Sequence, residues 1–398
     1  MSVYPILIIL SSLIILSYLF NLISQYLRLP AVLLLIAAGI GLKELAAYAH
    51  FEVPGTQILV ELLGITGLIL IVLEGSLDLK LNRKVIPLVG RSLLSAALIL
   101  FATSAAIAFV LHELMLPDWR TAIVYAVPLG VISSAIAIPS VSGLTAEKRE
   151  FIIYESTFSD IIGIMLFNHV ILENWNSWSS LPVFLGGFFG IIATAIISTL
   201  LLLLLLHYSK SHVRFFLVFA FLILIYSVAK LMHWPSLLLI LIFGLALNNP
   251  ELFIKGKLKK YFYLDKLGTV TQELKLLTAE SAFLIRTFFF LLFGFSIQLA
   301  KLNDASVLIA GGSVTIAILL VRLVFLRFIS KVNVFPELFI APRGLITIIL
   351  FYSIPTALQS PLFNDGVLLF VILASNVLMM AGLLIAGKKY SSEMDQIV

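Results

Sequence analysis

The sequence predicts an all-α polytopic membrane protein of about 13 transmembrane helices, with discontinuous helices 5 and 12 crossing between two inverted six-helix repeats. Three observations carry this. Of 398 residues, 61% are hydrophobic and only 12% charged, whereas soluble domains run at about 45–50% apolar and about 25% charged. Mean hydropathy is +1.13. Apolar runs long enough to cross the hydrocarbon core recur along the whole chain, and two of them, at corresponding places in the two halves, are broken by proline and glycine.

Cutting the chain at charges, prolines and polar clusters gives spans at 4–25, 29–43, 57–77, 86–111, 120–146, 149–173, 181–207, 213–232, 235–249, 280–300, 304–328, 335–356 and 366–387. The second and ninth are short. The first lacks a basic leader and a small-residue cleavage site, so it reads as a retained helix rather than a signal peptide. The only long connector, 250–279, reads as a basic, partly amphipathic surface segment. No stretch remains for a soluble regulatory module, so 1–398 reads as a single transmembrane domain. The chain has no cysteine, which excludes disulfides and thiolate sites, and its six histidines (50, 112, 169, 207, 212, 233) lack zinc-like spacing.

Charge distribution tests the topology. With 13 spans, 18 of the 26 Lys and Arg residues fall in connectors after odd-numbered spans and 4 on the other side; Arg91, Arg286, Arg322 and Arg343 lie within spans. Positive residues accumulate on the cytoplasmic side. The expected protein is therefore a multi-pass cell (inner or plasma) membrane protein, N-terminus outside and C-terminus in the cytoplasm.

An ionisable side chain at membrane depth is costly unless paired or hydrated, so each is a functional candidate. The sixth span carries Glu155, Ser159 and Asp160 in YESTFSD. Entering from the cytoplasm, Glu155 lies about 7 Å in and Asp160 about 15 Å in, near the midplane. Arg322, in the eleventh span, lies about 9 Å from the same surface. Matching depth and opposite charge point to a structural Glu155–Arg322 ion pair. Asp160 is left without an evident permanent partner. A lone carboxylate in low dielectric is costly as a bare anion, so it holds a proton or a cation. Ser159 supplies a further hard oxygen beside it.

The fifth span, VPLGVISSAIAIPSVSG, and the twelfth, FPELFIAPRGLITIILFYSIP, read as broken helices. Irregular backbone at that depth is tolerated only where it lines protein or water, and paired interruptions point to a transport site. Ser133 and Ser134 sit at the first break. Arg343, at the second, is placed to satisfy carbonyls, offset helix-end dipoles or repel cations, or to act as a structural anchor. Glu280 and Arg286, at the start of the tenth span, read as interfacial.

These motifs resemble the monovalent cation:proton antiporters, the family that includes NhaP, NHE and Kef-type proteins. ESTFSD resembles the NhaP/NHE Glu-Ser…Asn-Asp motif, with Glu155 and Asp160 on its two acids and Ser159 replacing its Asn. APRGLITI (341–348) resembles the Pro-Arg-Gly helix, and Arg322 the arginine that pairs with the motif's Glu. SQYLRLPAVLLLIAAGIGL and LGITGLILIVLEGSLDL resemble the second and third signature helices. The fifth span departs: ISSAIAIPS stands where NhaP/NHE proteins carry Thr-Asp-Pro, and is closer to the Kef type. The resemblance implies an NhaA-like antiporter fold and a homodimer. It also implies core helices at about 86–173 and 304–387, moving against scaffold and dimer helices at about 4–77 and 181–300.

The functional expectation is exchange of Na⁺ or K⁺ for protons at Asp160 by alternating access, with Ser159, Ser133 and Ser134 completing a monovalent-cation site. With one titrating carboxylate evident, electroneutral exchange is expected. No cofactor beyond the transported ions is expected, nor a nucleic-acid partner. A sodium-coupled organic-anion symporter on a similar fold would need more polar side chains than ISSAIAIPS offers. A channel would need a filter or pore ring, and an intramembrane enzyme an interfacial His, Asp or Glu cluster; neither pattern is evident.

Overall fold

The computed structural model describes residues 4–27, 31–48, 56–79, 86–141, 144–172, 190, 193–194, 196–202, 214–231, 236–253, 264–330 and 334–394. Thirteen helices are labelled among them: α1 (Tyr4–Leu27), α2 (Ala31–Tyr48), α3 (Thr56–Asp78), α4 (Ile86–Leu114), α5 (Trp119–Gly130), α6 (Ser134–Ser140), α7 (Ala146–Val170), α8 (Arg214–Leu231), α9 (Ser236–Asn248), α10 (Leu264–Ser296), α11 (Ala305–Val324), α12 (Leu345–Tyr352) and α13 (Gly366–Met394). These are not thirteen spans: α5 and α6 are two pieces of one. Most of the expected seventh span lies outside the described residues. Among them, five stretches are long and apolar enough to cross a membrane: 86–114, 119–140, 271–296, 305–328 and 366–385. The chain is thus a multi-pass membrane protein. Ile15 and Tyr18 on α1 and Leu94 and Phe101 on α4 are exposed, as lipid permits and water would not.

The chain forms two compact units, one of residues 1–64, 92–163 and 284–398, the other of 65–91 and 164–283. In the second, α8 packs on α9. The Asn248 and Asn249 side-chain amides donate to Leu79 O at 3.0 and 2.8 Å, tying the end of α9 to the end of α3.

In the first unit α1 packs on α2, α5 on α12 and α11 on α13. Helices α2 and α10 meet through two glycines. A Cβ at Gly39 would lie 2.2 Å from Leu291 O, and one at Gly294 2.3 Å from Ile36 O, so only glycine lets the backbones approach this closely. The Ser17 and Thr287 hydroxyls pair at 2.6 Å between α1 and α10.

Two differences from the sequence reading concern length and continuity. The expected connector 250–279 is helical from Leu264, and the tenth span becomes the 33-residue α10. Such a helix is about 50 Å long and outruns the hydrocarbon core, so its charged first half did not need to be a separate element. The twelfth span is helical only in its second half, Leu345–Tyr352; 335–339 form turns and 340–344 have no regular secondary structure. Pro336 and Pro342 explain this: each lacks an N–H and disfavours helix at the residue before it, leaving too little chain between them for a helix.

Candidate functional site at the crossed helix breaks

Helix α5 stops at Gly130, residues 131–133 are extended, and α6 begins at Ser134. In the apolar 18-residue stretch of 119–140, 83% of the residues are buried, against 39–44% in the corresponding stretches of the other four spans. Broken backbone is thus wrapped in protein, as its unpaired groups require. The second interruption lies against the first: Ser133 N donates to Pro342 O at 2.9 Å. Gly344 permits the contact, since a Cβ there would fall 2.3 Å from Ile136 Cδ1 and 3.1 Å from Ser133 Oγ.

The hydrogen bonds of the break can be counted through. In an unbroken helix the N–H groups of residues 132, 133 and 134 would donate to the carbonyls of 128, 129 and 130. Here Ile132 N donates to Ser159 Oγ at 3.0 Å, Ser133 N to Pro342 O, and Ser134 N to Asp160 Oδ2 at 3.1 Å. Arg343 replaces two of the lost donors: its Nε donates to Leu129 O at 2.9 Å and its Nη2 to Gly130 O at 3.1 Å. Its Nη1 donates to Ala341 O at 2.6 Å. A buried guanidinium thus closes the C-terminal end of α5, where carbonyl dipoles converge. Helix α13 holds Arg343 in turn. Arg343 N donates to Ser375 Oγ at 3.1 Å, and Asn376 Nδ2 donates to Arg343 O at 2.8 Å. The sequence reading passed over Ser375 and Asn376. Their signal was a polar pair in an otherwise apolar span.

Asp160 is 1% exposed. Its Oδ2 takes the Ser134 N–H, and its Oδ1 is buried with no hydrogen-bond partner among the described residues. Ser133 Oγ and Thr347 Oγ1 are likewise buried and unpartnered there. Thr347, in the first turn of α12, was not among the sequence-derived candidates. Asp160, Ser133, Ser134 and Ser159 are thus brought together at the crossing.

Glu155 and Arg322 lie apart from these, nearer the start of α7. Arg322 Nη2 meets Glu155 Oε2 at 2.8 Å, both side chains being 1% exposed. Glu155 Oε1 accepts from Ser95 Oγ at 2.8 Å, and Arg322 Nε donates to Glu337 O at 2.7 Å. The Glu337 carboxylate pairs with Lys148 Nζ at 2.8 Å. Neither residue of this second pair was singled out from sequence. Arg286 also departs from its expected interfacial place: half-buried on α10, it donates from Nη1 to Ala135 O at 3.2 Å.

With this geometry in view, the chain matches the family described as sodium/hydrogen exchanger, transmembrane, over residues 9–386. It belongs to that family. The sodium/hydrogen exchangers are transporters, not enzymes. The structure is similar to that of the sodium proton antiporter MjNhaP1 from Methanocaldococcus jannaschii at pH 8, at TM-score 0.71 and 18% identity, covering 98% of this chain and 100% of that one. It is also similar to a structure from an electron-microscopy map of MjNhaP1, at TM-score 0.64 and 17% identity, covering 98% and 97%. These likenesses show the antiporter fold. No curated protein sequence matches the chain.

Proposed function

We propose that this sodium/hydrogen exchanger carries Na⁺ or K⁺ in exchange for a proton at Asp160, one for one, by alternating access. One observation carries the reading: a buried carboxylate at the crossing of two broken helices, with one oxygen held by a backbone N–H and the other free of any hydrogen bond among the described residues. Such an oxygen takes a proton or a cation, and competition between them for one site is enough to produce exchange. Ser133, Ser134 and Ser159 supply oxygens around it, and Arg343 and the Glu155–Arg322 pair hold the breaks and helices that form it. In this conformation Asp160 is shielded. We assign it to a step between inward and outward access.

The proposal extends to the whole protein. Two inverted six-helix repeats form it, with a core at about 86–173 and 304–387 moving against a dimer-forming scaffold. The N-terminus lies outside and the C-terminus in the cytoplasm. The test is reconstitution in vesicles enclosing a pH dye, with Na⁺, K⁺ or Li⁺ added outside. Asp160→Asn abolishes cation-driven proton movement. Exchange by that variant at the wild-type rate would remove Asp160 from the mechanism.

A further inference from the structure

Helix α6 contains an acceptor that its own sequence cannot satisfy. Pro139 lies inside it and has no N–H to give the carbonyl four residues earlier, that of Ala135. Arg286, from α10, takes the missing donor's place at 3.2 Å. Ala135 follows Ser134, whose N–H holds Asp160 Oδ2. Consecutive residues of one half-helix are therefore gripped from two elements, by the carboxylate of α7 and by the guanidinium of α10. α6 has only 7 residues, and its N-cap residue Ser133 makes no side-chain cap and is held instead by its N–H on Pro342 O. A charged donor on a buried carbonyl is the strong kind of hydrogen bond.

We propose that Arg286 is a positioning residue for the Asp160 site, fastening α6 through the carbonyl that Pro139 leaves without a donor. The inference rests on the antiport reading of that site. It distinguishes Arg286 from Arg343, which closes the other end of the same break from the other broken segment. It also explains an arginine within the tenth span: the proline and the arginine form a matched pair, separated by 147 positions in sequence and joined at one carbonyl.

The pairing can be tested by a double-mutant cycle. Arg286→Met keeps the side chain's approximate length and removes its donors. Pro139→Ala restores an N–H at 139, which can close the helix's own bond to Ala135 O. In the vesicle assay, Arg286→Met raises the apparent KM for the cation about tenfold, the equivalent of one charged hydrogen bond, while the maximal rate changes less. Adding Pro139→Ala to Arg286→Met brings KM back to within about twofold of Pro139→Ala alone. Because both Met variants lack the arginine charge, this rescue separates the bond from the charge. An unchanged KM in Arg286→Met, or effects that multiply without rescue, overturns the proposal. Thermal unfolding of the purified variants reads the same cycle independently of transport, with the same rescue expected. If the wild-type protein moves no protons on cation addition, the antiport reading fails, and rescue or additivity in the unfolding temperatures still decides the Arg286 bond.

Discussion

Glu155 is held on both carboxylate oxygens, by Ser95 and by Arg322, and Arg322 in turn ties down the carbonyl of Glu337. Glu155→Gln keeps the shape and removes the charge, leaving a buried guanidinium without its counter-charge. It is expected to cost about 3 kcal/mol, read as a lower unfolding temperature in detergent. Exchanging the two residues, Glu155→Arg with Arg322→Glu, should restore only part. The swapped arginine cannot accept from Ser95, and the swapped glutamate cannot donate to Glu337 O. No recovery at all would show that the pair contributes through its neighbours rather than through its charges. This pair was legible in the sequence because both members lie at one depth in otherwise apolar helices. Lys148–Glu337 was not: Glu337 follows a proline at the edge of an expected span, where a charge is ordinary, and only the turn at 335–339 brings it to Lys148. Ser159 was read from its place beside Asp160, but its bond to Ile132 N appears only when the backbone of the break is counted through.

One element end and one helix crossing make further predictions. Asp118 caps α5: its Oδ2 accepts from the Thr121 hydroxyl at 2.7 Å and from Thr121 N at 2.8 Å. These bonds, the hydroxyl's first, hold its carboxyl below the usual carboxylate range. A folded-state value below the unfolded one means the stabilisation is present above the ordinary value and lost as pH falls through the folded one. Asp118→Ala should therefore cost about 1 kcal/mol at neutral pH, and the gap from wild type should narrow in acid unfolding curves. At the α2–α10 crossing, Gly294→Ala sets a methyl against the backbone carbonyl of Ile36, which no side-chain rotation relieves. Its expected cost is about 1–3 kcal/mol, again read by thermal unfolding. The glycines are plain in the sequence, but their pairing is not, because closeness between helices is a property of two faces. The fifth span's break was legible for the opposite reason. Its signals, Pro128, Gly130 and the serines, are local, and act on the backbone where they stand.

For the whole molecule, the remaining question is how much charge moves per cycle. Three carboxylates are buried among the described residues: Glu155, Asp160 and Glu337. Two are in ion pairs, with Arg322 and with Lys148, and each pair carries no net charge through a conformational change. In the proposed mechanism Asp160 is the one buried carboxylate left to carry the exchange. Arg343 is a fixed charge bound to three carbonyls, and it counts equally in both halves of a cycle. If Asp160 crosses once with a proton and once with a monovalent cation, the loaded carrier has the same charge in each direction, and no net charge moves. In the sequence this expectation rested on a count of unpaired acids; the ion pairs of Glu155 and Glu337 give the proposal a physical reason. In vesicles with a potential set by a gradient of a permeant anion, which a cation site does not carry, the rate of Na⁺-driven proton movement should be the same at zero and at about 100 mV of either sign. A single uncompensated charge crossing that field would gain or lose about 2.3 kcal/mol. If charge moves during the rate-limiting step, rates at the two polarities would diverge severalfold. Such a divergence would mean that a second group, Glu337 released from Lys148 being the nearest candidate in kind, titrates during the cycle.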